Sequence, residues 1–195
     1  MSSEPAGEVP ARPKLAIRTE STPSYATMSV EALAEELRGR EGGRGVVVVD
    51  VRGDDRKGGH IPSSQWVAFP AFEAQAADRV AAWCSGGSST APAKICFYCQ
   101  YSSERGPSCA LTCAAKVAEA GFGDRAEVYL LQGGFHKWLN TFLGTGNEAA
   151  LIEGFDPSLW VQQDSSWVYA PDVPFDFSCE ENLPLHDQVE GQAEA

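Results

Sequence analysis

Phe97-Tyr98-Cys99-Gln100-Tyr101-Ser102-Ser103-Glu104-Arg105-Gly106-Pro107 is the stretch that decides how the chain reads. An apolar run, Lys94-Ile95-Cys96-Phe97-Tyr98, leads into it. Gly106-Pro107 then opens a helical pattern carried by Ala110, Leu111, Ala114, Val117 and Ala118. The order is strand, thiol, short loop, helix start. The orphan N–H groups of a helix N-terminus carry partial positive charge, so such a loop can converge on a tetrahedral oxyanion. Arg105, separated from Cys99 by five residues, can clamp two anion oxygens with its planar fork. Gln100, Tyr101, Ser102, Ser103, Glu104 and Arg105 are the expected anion-binding loop, with the sulfur of Cys99 below the anion. A free cysteine is only about 3% thiolate at neutral pH, but inward dipoles, the helix N-terminus and Arg105 all favour the anionic form. The implied chemistry is attack by a thiolate on a phosphate-like centre.

Outward from this loop the pattern is α/β. Tyr25–Met28 reads as a short edge strand, and Ser29 as the N-cap of a helix with Val30, Leu33, Ala34 and Leu37 on one face. Val46–Val51 is a continuous β-branched run, as expected of a parallel strand buried on both faces. Gln65–Phe69 reads as a third strand, Phe72–Trp83 as a helix and 84–93 as a loop. Lys94–Tyr98 is the strand that feeds the thiol, 106–120 the helix that leaves it, Glu127–Leu131 the last strand and 134–142 the last helix. Strands alternating with helices predict a central parallel sheet flanked by helices, in three layers, with ligands at the carboxyl ends of the strands.

Charge divides the chain. Residues 1–137 hold all 15 Lys and Arg against 16 Asp and Glu, while residues 138–195 hold 11 acids and no Lys or Arg. The first part is nearly neutral, and the second supplies almost all of the net −12. No basic patch points to nucleic acid as a partner, and the acidic segment suits a basic protein partner. Residues 1–24, rich in Pro and Ser, read as a disordered lead-in. The folded domain is expected over 25–145. The remainder, 146–195, reads as an acidic, aromatic-containing extension that packs over about 155–170 and is disordered beyond about 178. No apolar run reaches the ~20 residues of a membrane span, and no signal-peptide core follows Met1. The expectation is a cytoplasmic or nuclear protein whose six cysteines are thiols.

Three blocks occur in one order: Val46-Val-Val-Val-Asp50-Val-Arg52 with Gly58-Gly59-His60-Ile61-Pro62, then Cys99–Pro107, then Val128-Tyr-Leu-Leu-Gln132-Gly133-Gly134-Phe135. Together they resemble the rhodanese superfamily. The loop resembles that of the M-phase inducer (cell-division-cycle) dual-specificity phosphatases built on that fold. The resemblance covers roughly residues 25–143 and implies a rhodanese-like domain. Sulfurtransferases of the superfamily usually carry a loop one residue shorter; the longer form implies phosphate or arsenate. Eukaryotic arsenate reductases of this fold share the loop, often followed by Gly-Pro-x-Cys, and Gly106-Pro107-Ser108-Cys109 fits that as well. The function implied is a cysteine-dependent protein phosphatase, for tyrosine or of dual specificity, acting through a phosphocysteine intermediate on a phosphoprotein or small oxyanion. Water completes that cycle, so no cofactor is expected. Two alternatives stay open: a thiol-dependent arsenate reductase, and a catalytically weakened rhodanese-like binding module. Sulfurtransferase comes last.

Several positions bear on that choice. The family usually has His where this chain has Tyr98, and the M-phase inducers have Glu where it has Gln100. Val51 stands where they place a second cysteine. Cys109, in the first turn of the helix leaving the loop, is either a substitute for that thiol or a small core residue. Glu104 matches their second loop glutamate and is either the general acid or a brace for the loop's amides. Asp50 and Arg52 resemble the family's strand-end pair and read as structural support. Asp54 and Asp55 read as a solvated charge run, His60 as a loop tie, and His136 and His186 carry no signal. Cys and His spacings propose no metal.

Overall fold

In the computed structural model, which describes residues 23–39, 45–85 and 92–170, five parallel strands form one sheet in the order β1-β5-β4-β2-β3. The strands are β1 (Ala26–Met28), β2 (Val47–Asp50), β3 (Gln65–Trp66), β4 (Ala93–Tyr98) and β5 (Ala126–Leu131). The valines of β2 pair with Ile95–Tyr98 of β4, and β4 pairs in turn with Ala126–Leu130 of β5. The core strands are therefore the most apolar ones, as burial on both faces demands. β2 is followed by β3 on one side and β4 by β5 on the other, so the order reverses beside β4. Ligand crevices of open α/β sheets form at the carboxyl ends of strands at such a reversal, and Cys99 follows directly on β4.

Helices α2 (Phe69–Ser85) and α3 (Arg105–Glu119) cover one face of the sheet, and α1 (Val30–Arg38) and α4 (Gly134–Phe142) the other. Ser29 caps α1, its hydroxyl accepting from the Ala32 amide at 3.2 Å. The side chains of β4 alternate: Ile95, Phe97 and Cys99 pack toward α2 and α3, whereas Cys96 and Tyr98 pack toward α1 and α4.

Several boundaries differ from the sequence expectation by a residue or two, with α3 opening at Arg105 itself, and the largest differences fall between β2 and α2. The third strand is Gln65–Trp66 only, and α2 begins at Phe69, not Phe72. Pro70 lies in the first helical turn, where a missing N–H costs nothing, and its ring presets the helical φ. Beyond α4 the chain forms α5 (Glu148–Leu151) and an antiparallel hairpin of β6 (Trp160–Gln163) and β7 (Ser166–Tyr169). This segment folds back on the α1/α4 face. Trp160 and Tyr169 are buried with Phe135 and Trp138, Trp138 Nε1 donates to the Leu151 carbonyl at 2.7 Å, and Asn140 brackets the backbone of Trp167. Of the disordered lead-in expected over 1–24, residues 1–22 lie outside the described residues, as do the segment beyond about 178 and most of the 84–93 loop. Among those described, no helix is long and apolar enough to cross a membrane.

Candidate active site

β4 ends at Tyr98, α3 starts at Arg105, and the six residues between them form the predicted loop. Cys99 is 3% exposed. Gly106 lies against it: a Cβ there would stand 3.6 Å from Cys99 Sγ and 2.9 Å from a Leu130 methyl. The Leu130 methyl leaves no room for that Cβ, so glycine lets the first turn of α3 pack against β5 beside the sulfur. Ser102 adopts the left-handed conformation at φ 53°, which turns the chain sharply within the loop. Cys99, Gln100, Tyr101, Ser103, Glu104 and Arg105 share one cleft of about 530 Å³ with Phe69 and Ser108. Ser102 is not among the residues lining this cleft; its backbone nitrogen lies toward Gly134, and its hydroxyl is buried without a hydrogen-bond partner.

The loop is held from behind by the Gly133-Gly134-Phe135 turn. The amides of Phe135 and His136 donate to the carbonyls of Cys99 and Gln100 at 3.0 and 2.8 Å. Gly134, at φ 62°, is required by this approach, since a Cβ would overlap the Cys99 carbonyl oxygen and stand 2.7 Å from that of Gln100.

Below the loop lies a buried polar hub. The fully buried Arg52 donates to Asp50 through Nε and Nη2 (3.0 and 2.8 Å), to the Gly59 carbonyl (2.7 Å), to the Asp55 carbonyl (3.3 Å) and to Gln100 Oε1 (3.2 Å). Its guanidinium also lies 4.2 Å from the Phe135 ring centroid. Burial alone would raise the Asp50 carboxyl, but the charge and hydrogen bonds of Arg52 outweigh it and hold that carboxyl below its ordinary range. Tyr98, where the family has His, donates its hydroxyl to Asp50 Oδ2 at 2.8 Å and accepts from the Ile61 amide at 3.3 Å. Burial and then the Asp50 carboxylate push its phenol far above its ordinary value, so it is a neutral donor. Tyr98 thus braces the scaffold on the sheet face opposite Cys99. Gln100, 2% exposed, joins this hub as an acceptor.

Asp55 corrects the expectation of a solvated charge run. Its side chain is fully buried, and it accepts from Arg105 Nη1 at 2.9 Å and Nη2 at 2.6 Å, and from the Gly53 amide at 2.9 Å. Burial opposes the charge of Arg105, yet the bonds and charge of Asp55 prevail and raise its affinity for its proton. Glu104 is exposed at the N-cap position of α3 and makes no side-chain bond to the helix amides. Cys109 packs in the core with Ala110 and Cys113. Burial first, then the neighbouring Cys99, pushes its thiol up to about 12.

Sequence reasoning missed two contributors and read a third, the His60 loop tie, without its partner. His136 stacks on Tyr101 at 5.0 Å between ring centroids. The loop bearing Asp55 is pinned by the C-terminal hairpin: Trp160 Nε1 donates to the Gly58 carbonyl at 2.8 Å, and a Cβ on Gly58 would meet Trp160 at 2.7 Å and Tyr169 at 3.0 Å. His60 ties its backbone to Glu153 in both directions, at 2.8 and 2.9 Å. Only the Gly58-Gly59-His60 motif hinted at any of this, because each partner lies far away in sequence.

Residues 33–141 match the family model described as the rhodanese-like domain. The chain is similar to the CDC25-like phosphatase YCH1 of Saccharomyces cerevisiae, with 29% identity over 119 residues, covering 58% of this chain and 76% of that protein. Among solved structures it is similar to Saccharomyces cerevisiae Ygr203w, described as a homolog of single-domain rhodanese and the Cdc25 phosphatase catalytic domain. That likeness has a TM-score of 0.61 at 23% identity over 74% of this chain and 97% of the other. The As-Sb reductase from Leishmania major superposes with a TM-score of 0.56 at 18% identity over 75% of this chain and 93% of the other.

Proposed function

Since the chain belongs to the rhodanese-like domain family, we propose that it is a cysteine-dependent phosphatase that passes through a phosphocysteine intermediate, with protein phosphotyrosine or phosphothreonine as its substrate class. One observation carries the reading: the sulfur of Cys99 faces Gly106 in the first turn of α3, inside a loop long enough to enclose a tetrahedral oxyanion. The phosphatase name of the yeast relative supports it. In the proposed reaction the Cys99 thiolate attacks phosphorus, a P–S bond forms, and the bond to the leaving oxygen breaks with its electron pair. Arg105 and the loop amides offset the charge on the equatorial oxygens. Glu104, exposed on the cleft, is the candidate general acid for the leaving oxygen. Water then cleaves the P–S bond and returns the thiolate.

Arsenate has the shape and charge of phosphate and fits the same loop, which keeps the reductase as the second reading; the Leishmania structure shares the fold. A three-way assay separates the outcomes: aryl phosphate alone, arsenate with glutathione and glutaredoxin, and thiosulfate with cyanide. The expected result is aryl-phosphate hydrolysis that disappears in Cys99→Ser with the fold intact, because a hydroxyl is far less ionised than a thiol. Retained hydrolysis in that variant, or arsenate reduction without hydrolysis in the wild type, overturns the proposal.

A further inference from the structure

Both ends of the oxyanion loop are held from one short segment. Arg52 reaches Gln100 at the loop's start, and Asp55 reaches Arg105 at its end. The second tether is the unexpected one, because it sets a carboxylate against the very cation that must receive an anion.

We propose that Asp55 is a positioning residue for the oxyanion site: it orients the Arg105 guanidinium by both Nη atoms, and oxyanion binds to Arg105 with that pair intact. The alternative, a carboxylate that occupies the site until substrate displaces it, conflicts with the geometry. The side chain of Asp55 is fully buried, whereas that of Arg105 is 12% exposed and faces the cleft. Asp55 is also fixed by the Gly53 amide. Displacing it would strand a buried carboxylate without its cation, which is strongly unfavourable. Arginine, by contrast, carries five donors in a rigid plane. Asp55 takes one N–H from each Nη, so one carboxylate sets the plane of the fork while its cleft-facing edge is turned to a second anion. A long side chain held in this way surrenders its rotamer freedom on folding, not on binding.

The sign of one measurement separates the two views. Simple Coulomb reasoning says that removing a negative charge beside an anion site tightens anion binding. Positioning says the reverse. For Asp55→Asn, tungstate affinity by calorimetry is expected to fall at least about tenfold, the scale of one charge-assisted hydrogen bond. Asp55→Glu, which keeps the charge and moves it by one methylene, is expected to lose less. A second readout excludes collapse of the loop. Alkylation of Cys99, followed by peptide mass spectrometry, should proceed at nearly the wild-type rate with neutral iodoacetamide, while the rate with anionic iodoacetate falls.

Tungstate affinity that is unchanged or tighter in Asp55→Asn overturns the proposal, as does a parallel fall of both alkylation rates. If Asp55→Asn does not fold, Asp55→Glu carries the same two readouts; failure of both to fold assigns Asp55 to the fold and also overturns it. The inference rests on the oxyanion-binding half of the proposed function and not on turnover. A wild-type protein that binds tungstate without hydrolysing aryl phosphate would sink the phosphatase reading alone, and one that binds no tungstate would sink both.

Discussion

The two faces of the central sheet are built from different materials, although adjacent residues of β4 supply both. Toward α2 and α3, Cys99 lies among Phe97, Cys109, Ala110, Cys113 and Ala114, small or purely apolar groups. Toward α1 and α4, Tyr98 lies among Phe135, Trp138 and Trp160, with the buried charges of Asp50 and Arg52 at the rim. The first face lets a helix N-terminus approach a sulfur. The second locks the loop in place through long-range hydrogen bonds. One residue of register thus separates reactivity from rigidity, because successive side chains of a strand point to opposite faces.

The comparison makes substitutions on the α1/α4 face costly to the fold and those on the α2/α3 face mild. The largest effect is expected at Arg52. Arg52→Met leaves Asp50 buried without its cation and should destabilise the protein by about 3–5 kcal/mol, read as a lower urea midpoint. Trp160→Ala follows at about 3 kcal/mol, from a lost indole and its bond to Gly58; it should also loosen the loop carrying Asp55 and weaken tungstate binding. Gly134→Ala adds a Cβ in a left-handed conformation against the Cys99 carbonyl and should cost about 1–3 kcal/mol. Its turnover should fall by more than its stability would suggest. Cys113→Ala, on the other face, should cost about 1 kcal/mol and leave turnover within twofold of wild type. A Cys113→Ala loss as large as that of Arg52→Met would erase the contrast.

The smallest effect is one of pH. Burial is the leading cause that lowers the imidazole pKa of both His60 and His136 in the fold, with Arg56 adding to it at His60. As pH falls below the ordinary value of 6.5, the unfolded chain takes up protons that the fold resists. Stability should therefore decline with acid until the folded imidazoles themselves titrate. Urea midpoints at pH 5 and 7.5 measure the slope, and His136→Gln should flatten it. A midpoint that rises toward pH 5 would contradict both assignments.

What the sequence revealed, it revealed through local pattern. The strand–loop–helix around Cys99, the β-branched run before Asp50 and the Gly133-Gly134 turn each announce themselves within about ten residues, so the fold and the placement of Cys99 between β4 and α3 were legible. Asp55 was not. Its partner Arg105 is 50 residues away, and an Asp-Asp-Arg-Lys run looks solvated until topology brings α3 above it. Trp160, whose indole N–H donates to Gly58 across 102 residues, was legible as part of a stretch that packs but not as the partner of that loop. The departure at Tyr98 reads differently with its side chain located: the phenol serves the scaffold and does not face the sulfur.

The span of that last contact bears on how the protein is made. Ribosomes deliver the Arg52–Gly58 segment and the Cys99 loop well before Trp160, and at roughly 5–20 residues per second the indole arrives about 5–20 s after Gly58. During that interval the nascent chain holds a Cys99 loop whose Asp55 support is not yet pinned. The hairpin is the closing piece of vectorial synthesis, and a chain interrupted before it would leave the ribosome with its thiol in place and its anion site unset.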